Sequence, residues 1–417
     1  MQHEYLARAE RIMQRIQQLA AISEDPGGVV TRTFGTPAFL EGRALVRSWL
    51  EAAGLPTRVD GIGNLRARLE SPAPGAKTFV LASHIDTVVN AGKFDGPLGV
   101  LMGLDLLEQL IAQKAELPFH LELIAFSDEE GVRFHTTYLG SKVVAGAFDP
   151  DLLLRSDAGG VTLAGALETM GADAAQIRTD AIPAADWLGY FEMHIEQGPV
   201  LWERQVPVAL VTAIAGQQRV ELTFKGMAGH AGTVPMAMRQ DALCAAAEFV
   251  LTAEQFAQAH GRGLVATVGK LAVSQSASNV IPGEVTCSLD LRSPSQAQLA
   301  DAYRALQGYA EGLALQRDVA LRWHPIQHTA PVACDAALNE LLRQAVAESG
   351  HETIALVSGA GHDAVPISAV APATMMFIRC YKGISHNPLE DVELPDLAAA
   401  IDVADRFLMK LKMNNER

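Results

Sequence analysis

Apolar positions along this chain switch between helical spacing and short continuous runs, and the alternation predicts the architecture. Tyr5, Ile12, Ile16 and Leu19 recur at helical spacing over residues 4–21, and Asp25-Pro26-Gly27-Gly28 closes that helix. Pro37 to Ala53 repeats the pattern through Leu40, Leu45, Val46, Trp49 and Leu50, with Gly54 as its C-cap. Thr57 to Leu69 reads as two short strands around Gly61-Ile62-Gly63, and Thr78 to Ala82 is an apolar run consistent with a buried strand. An apolar helix follows from Leu98 to Ala112, then a strand from His120 to Phe126 and another from Tyr190 to Gly198. Strands alternating with helices predict an α/β fold, a mostly parallel sheet with helices on both faces.

Near Thr212 the character changes. Strands are expected at Arg219–Phe224, Leu264–Val273, Val285–Leu291 and Val319–Trp323, and helices at Ala237–His260 and Ser295–Leu315. After Pro331 the first style returns, with a helix at Ala336–Glu348, a strand at Ala373–Ile378 and a closing helix at Leu397–Leu411. A first domain over residues 1–212 and 329–417 is therefore interrupted by a smaller α+β module over 213–328. That insert, about 115 residues, is long enough for a core of its own. There is no internal repeat and no low-complexity segment.

Composition narrows the partners. The 417 residues are 49% hydrophobic and 19% charged, with a net charge of −15 and no Lys/Arg run. This argues against nucleic acid or an anionic membrane, but not against a small anionic substrate held by one arginine. The cysteines Cys244, Cys287, Cys334 and Cys380 form no C-x-x-C pair, which fits reduced thiols and a cytoplasmic location. No apolar run approaches the roughly 20 residues of a spanning helix.

Chemistry gathers at strand ends. His84 leaves the strand begun at Thr78, at the C-terminal end where open α/β sheets place their sites. Asp86 points to the same side and can hold one ring nitrogen, leaving the other for a metal. A lone His-x-Asp would also suit a core histidine beside a capping Asp. Asp95, Glu130, His194 and His386, however, each stand at or just beyond a strand or loop end, giving five mixed imidazole and carboxylate ligands suited to zinc or manganese. Glu129 is next to Glu130 and can take a proton from water. In the insert, His230 can donate to an oxyanion, and Asn279 and Arg292 are candidates for a substrate carboxylate. His324, His328 and His351 match no motif, and Gly261-Arg262-Gly263 follows a helix rather than the strand that a dinucleotide fingerprint needs.

Seven blocks in order resemble the M20-type dinuclear metallohydrolases, in the branch of allantoate amidohydrolases and N-carbamoyl-L-amino acid hydrolases. They are SHIDTVVNAGKFDG (83–96), FSDEEG (126–131), HIEQG (194–198), GHAGTVPMAMRQDA (229–242), SASNVIPGEV (276–285), SGAGHDA (358–364) and GISHNP (383–388). The resemblance implies two divalent ions per chain, Mn2+ or Zn2+, with His84 and His194 on one, Glu130 and His386 on the other, and Asp95 bridging. It implies that Asp86 orients His84, that Glu129 is the general base, and that Gln197, Gln217, Gly361 and His362 line the substrate with His230, Asn279 and Arg292. It also implies that the inserted module is a lid and dimerisation domain, making a homodimer. A His at position 194, where peptidases of the superfamily usually carry a carboxylate, favours a ureido substrate over a peptide. Allantoate is the expected substrate, with N-carbamoyl-L-amino acids (β-ureidopropionate among them) as the alternative. Aminoacylase or dipeptidase activity is disfavoured by His194, and a non-enzymatic binding role by the complete set of ligands.

Overall fold

A computed structural model describes residues 2–416. The chain divides into two compact units: Met1–Thr212 with Cys334–Leu356 and Gly361–Arg417, and Ala213–Ala333 with Val357–Ala360.

The first unit is built on strands β1 (Thr57–Val59), β2 (Leu65–Leu69), β3 (Thr78–His84), β4 (His120–Phe126), β5 (Trp187–Ile195) and β6 (Val208–Ile214), the last of which runs on into the second unit. A late strand, Ala373–Ile378, inserts between β5 and β6. The order across the sheet is β1-β2-β4-β3-β5, then the 373–378 strand, then β6. The four central strands are parallel, and the flanking pairings are antiparallel. Each central strand is buried along almost its whole length, because helices cover both faces. Alternation assigns the faces. Phe191 packs on Phe407 of the closing helix Leu394–Asn415, with ring centroids 4.5 Å apart. The next residue, Glu192, points the other way and accepts the Ala364 N–H at 3.0 Å, at the start of the short helix Ala364–Ile367. His84 and His194 share the Glu192 side, by their even spacing from Ala82 and Glu192, which are paired.

The helix Pro97–Ala112 begins directly after Asp95 and Gly96, as the Gly-Pro pair predicts. It carries Asp105 into the interior, where Arg8 Nε and Arg11 Nη2 of the first helix donate to it at 2.7 and 2.5 Å.

The second unit is a five-stranded antiparallel sheet. Its strands are β7 (Gly216–Lys225), β9 (Val265–Thr267), β10 (Leu271–Val273), β12 (Glu284–Ser293) and β13 (Ala320–Thr329), with the small pair β8 (Gly229–His230) and β11 (Val280–Ile281) beside it in sequence. Helices Ala242–His260 and Gln296–Gln316 pack on one face around Phe224, Phe249, Leu289 and Leu306. Alternation along β12 buries Val285, Cys287, Leu289 and Leu291 and turns Asp290 and Arg292 to the other face. The expected single strand over 264–273 is two short ones, both paired to β12 and separated at Val268-Gly269-Lys270. The helix expected from Ala237 begins at Ala242 instead, because Asp241 caps it by accepting the N–H groups of Leu243 and Cys244. All four cysteines are free, and no helix among the described residues is long and apolar enough to cross a membrane.

Replacing Asp105 with Ala leaves buried Arg8 without one of its carboxylates. The expected loss is about 3–5 kcal/mol, the range for breaking a buried ion pair from one side. Chemical denaturation checks this, and a change under 1 kcal/mol contradicts the role of Asp105 as a buried anchor.

Candidate active site

The C-terminal ends of β3, β4 and β5 bring His84, the Ser127–Glu130 segment and His194 to one place. His84 and His194 are both buried, with rings stacked 5.8 Å apart. Each has its Nδ1 against a carbonyl: His84 on Asp86 at 3.0 Å, His194 on Ile195 at 2.9 Å. A carbonyl only accepts, so both Nδ1 atoms carry a proton there, and Nε2 is the ring atom that each turns into the same space, where it can bind a cation once it has lost its own proton. Into that space comes Asp95. Its Oδ1 lies 3.1 Å from His194 Nε2 and 4.0 Å from His84 Nε2, and its Oδ2 lies 2.9 Å from His386 Nε2. His386 Nε2 is also 3.4 Å from Glu130 Oε1.

The result is two donor groups, His84–Asp95–His194 and Asp95–Glu130–His386, sharing Asp95. Each set of ligand atoms falls within 4.8 Å, as one ion requires. Glu129 joins His84 and Glu130 in a third set, so the neighbouring carboxylate borders both groups. Glu192, His194 and His362 also cluster, but His194 already spends Nδ1 on Ile195 and turns Nε2 to Asp95. His362 therefore backs the site; its ring packs edge-on against His194 at 4.6 Å. The donor chemistry fits hard to borderline divalent cations.

Local structure explains the precision. Gly96 has φ +86°, and a Cβ there would lie 2.4 Å from His84 Cε1, so only glycine lets the Asp95 turn approach the ring. The Asp86 carboxylate does more than stand beside His84. Its oxygens accept the N–H groups of Glu129 and Glu130, both at 3.1 Å, and Oδ1 is 3.5 Å from His84 Nδ1. It is thus the Asp86 carbonyl that makes the short contact to His84, while the carboxylate fixes the backbone of the Glu pair. Fully buried Arg32 completes this loop by donating to the Ile85 carbonyl at 2.7 Å.

Electrostatics follow the geometry. Burial pushes the Glu129 carboxyl well up, and Glu130 adds to it. Burial opposes ionisation of Asp95 too, but His194, His386 and His84 outweigh it and hold Asp95 well below the ordinary carboxylate range. Burial, with His194 beside it, keeps His362 well below the usual imidazole value.

Gln197, expected at the substrate, donates from Nε2 to Asp95 Oδ2 at 2.8 Å and to Ser385 Oγ at 3.3 Å. Gly361 lies against the Tyr138 hydroxyl, 1.7 Å from where a Cβ would stand. In the second unit, Gln217 and Arg292 are cross-strand partners on β7 and β12. Asp290 accepts from Gln217 Nε2 at 2.8 Å and from Arg219 Nε at 3.1 Å. It also takes Arg292 Nε at 3.0 Å and Nη2 at 3.1 Å, while Arg292 Nη1 donates to the Gly359 carbonyl at 2.6 Å. Three of the five guanidinium N–H groups are therefore used, and two remain for a ligand carboxylate. His230 and Asn279 sit side by side, since the Ala231 N–H bonds to the Asn279 carbonyl at 2.9 Å and His230 pairs with Val280. The Gly232 N–H donates to His230 Nδ1 at 3.0 Å, so the neutral ring carries its proton on Nε2 and can donate outward.

The profile of peptidase family M20/M25/M40 matches residues 80–410. The chain belongs to that family. M20 proteins are metal-dependent, in accord with the donor groups around Asp95. Within the family it is similar to the N-carbamoyl-L-amino acid amidohydrolase of Geobacillus stearothermophilus, 37% identical over 95% of this chain and 97% of that one. It is equally similar to allantoate deiminase 2 of Glycine max, 37% identical over 95% of this chain and 88% of that protein. Among solved structures, a hydantoinase/carbamoylase family amidase from Burkholderia multivorans superposes with a TM-score of 0.91 at 34% identity, covering 96% of this chain and 97% of that one. The M20 chain described here is a hydrolase of this amidohydrolase type.

Gly96→Ala tests the close approach that sets the site. The left-handed backbone alone costs an alanine about 1–3 kcal/mol. Lowered thermal stability together with reduced metal uptake is the expected outcome; wild-type values of both contradict it.

Proposed function

We propose that this M20 enzyme hydrolyses a C–N bond of a ureido group beside a carboxylate, and that its substrate is allantoate, releasing ammonia and carbon dioxide. The observation that supports the reaction most directly is the pair of donor groups sharing buried Asp95 next to Glu129. His84, Asp95 and His194 would hold one divalent ion, and Asp95, Glu130 and His386 a second, as Mn2+ or Zn2+. When bound, such ions supply Lewis acidity that polarises the carbonyl and acidifies water. Glu129 takes the proton of the attacking water, a role suited to a buried carboxylate whose affinity for protons is raised. His230, with its Nε2 proton facing outward, donates to the oxyanion of the tetrahedral intermediate. Arg292, oriented by Asp290, offers its remaining donors to the substrate carboxylate, with Asn279 and Gln217 nearby in the same unit. Gln197, Gly361 and His362 shape the pocket wall around the donor groups. In this reading the second unit acts as a lid and carries the contacts of a homodimer.

The allantoate reading rests on resemblance: Ala215-Gly216-Gln217-Gln218-Arg219 and the HAGTVPMAMRQD stretch look closer to allantoate enzymes than to carbamoylases. The second reading, hydrolysis of N-carbamoyl-L-amino acids, is favoured by near end-to-end similarity to the Geobacillus stearothermophilus protein. Ammonia release separates them. The kcat/KM for allantoate is expected to exceed that of every N-carbamoyl-L-amino acid tested, and dipeptides should be inert. A value at least about tenfold higher for any carbamoyl amino acid, equal to 1.4 kcal/mol of preference, overturns the substrate while keeping the reaction class.

Glu129→Gln preserves shape and removes the base. Its kcat should fall at least ~10²-fold while metal content stays at the wild-type level. Loss of metal along with activity would make Glu129 a ligand and reverse the roles of the adjacent pair.

A further inference from the structure

Glu390 lies two residues beyond the GISHNP block and 295 residues from Asp95. It is 2% exposed, and both of its oxygens are engaged. Oε1 accepts the N–H groups of Phe94 at 2.7 Å and Asp95 at 3.0 Å. Oε2 is 3.1 Å from Ser385 Oγ, which is itself 2.9 Å from Asp95 Oδ2. Gly92 closes over this carboxylate so tightly that a Cβ there would lie 2.3 Å from Glu390 Cδ. The arrangement ties one ligand's backbone to the loop that carries another, because Ser385 immediately precedes His386.

His386 needs such a tie more than its neighbours do. Its side chain is 48% exposed, whereas His84 and His194 are each 2% exposed in packed strands. Its backbone is also left-handed, with φ 54°. A half-exposed ring on a strained loop takes little of its position from core packing. Gly383, packed on Gly198, anchors the start of the loop, and Glu390 with Ser385 anchors the side facing Asp95.

We propose that Glu390 is a positioning residue for the donor group Asp95–Glu130–His386: it fixes the Asp95 backbone and, through Ser385, the His386 loop at the separation a divalent cation requires. This rests on the reading of the site as a metal centre. Glu390 touches neither ion nor substrate, and its effect is on how well the ligands are prearranged.

Titration of metal-free protein with Mn2+, followed by calorimetry, tests it. Wild type is expected to bind two ions. Glu390→Ala should weaken the ion at Asp95–Glu130–His386 about 10- to 100-fold, the usual effect of removing a partner that orients a metal ligand, and weaken the ion that shares only Asp95 by less. Glu390→Gln keeps an oxygen for the two N–H groups and an amide that can donate to Ser385, so it should rescue affinity to within about threefold. Ser385→Ala should fall between them. Wild-type affinity in Glu390→Ala overturns the proposal, and so does a Gln variant as damaged as the Ala one. If Glu390→Ala does not fold, wild-type affinity in Ser385→Ala overturns it instead. Uptake of one ion by wild type would contradict the dinuclear reading alone, since Asp95 belongs to both donor groups and the same comparison on that ion still decides the role of Glu390.

Discussion

Asp95 is 3% exposed, yet three imidazoles, an amide and a hydroxyl converge on its two oxygens. A buried carboxylate is tolerated only where such partners or a cation compensate its charge. The surrounding structure is arranged to meet that condition. Two parallel strands deliver His84 and His194 from one face of the sheet, with each Nδ1 on a carbonyl and each Nε2 turned toward Asp95. The turn that brings Asp95 against them exists because Gly96 leaves room for the ring. From the opposite direction, Gln197, Ser385 and His386 meet the other oxygen.

The sheet makes this economical in sequence. Residues on adjacent parallel strands at even spacing fall on the same face at the same level, so two histidines over a hundred positions apart become neighbours without special loops. Asp86 then aligns Glu129 and Glu130 through their backbone N–H groups, which separates the roles of two adjacent carboxylates: one borders both donor groups, the other enters one of them. The second unit carries its polar residues in a similar way. Alternation on β12 places Asp290 and Arg292 together on the face opposite the core, and Asp290 orients the guanidinium while leaving two of its donors available.

Much of this was legible before any coordinates. Continuous apolar runs marked the central strands, and the residues just past them marked the positions where an α/β sheet builds its site. What stayed hidden depended on contacts between distant segments. Glu390 stands only four residues past His386, but its own spacing carries no sign of a tie to the Asp95 backbone, and its role emerges only from the hydrogen bonds it accepts. The engagement of Arg292 by Asp290 had a signal, since residues two apart on a strand share a face, but period-two spacing alone does not say which donors are taken. Asp86 illustrates a subtler limit: its spacing put it beside His84, while the choice between carbonyl and carboxylate depended on where the Glu129 and Glu130 amides lie. The misplaced start of the Ala242–His260 helix shows a local signal overridden by a stronger one, the capping Asp241. In the 264–273 segment, Gly269 falls in the gap between two short strands where the apolar pattern suggested one.

Anomalous diffraction from crystals of the manganese-loaded protein addresses the shared carboxylate most directly. The account predicts two peaks about 3.5–4 Å apart, one contacted by His84 and His194, the other by Glu130 and His386, with Asp95 between them. A single peak, or two peaks of which only one is in contact with Asp95, would contradict it.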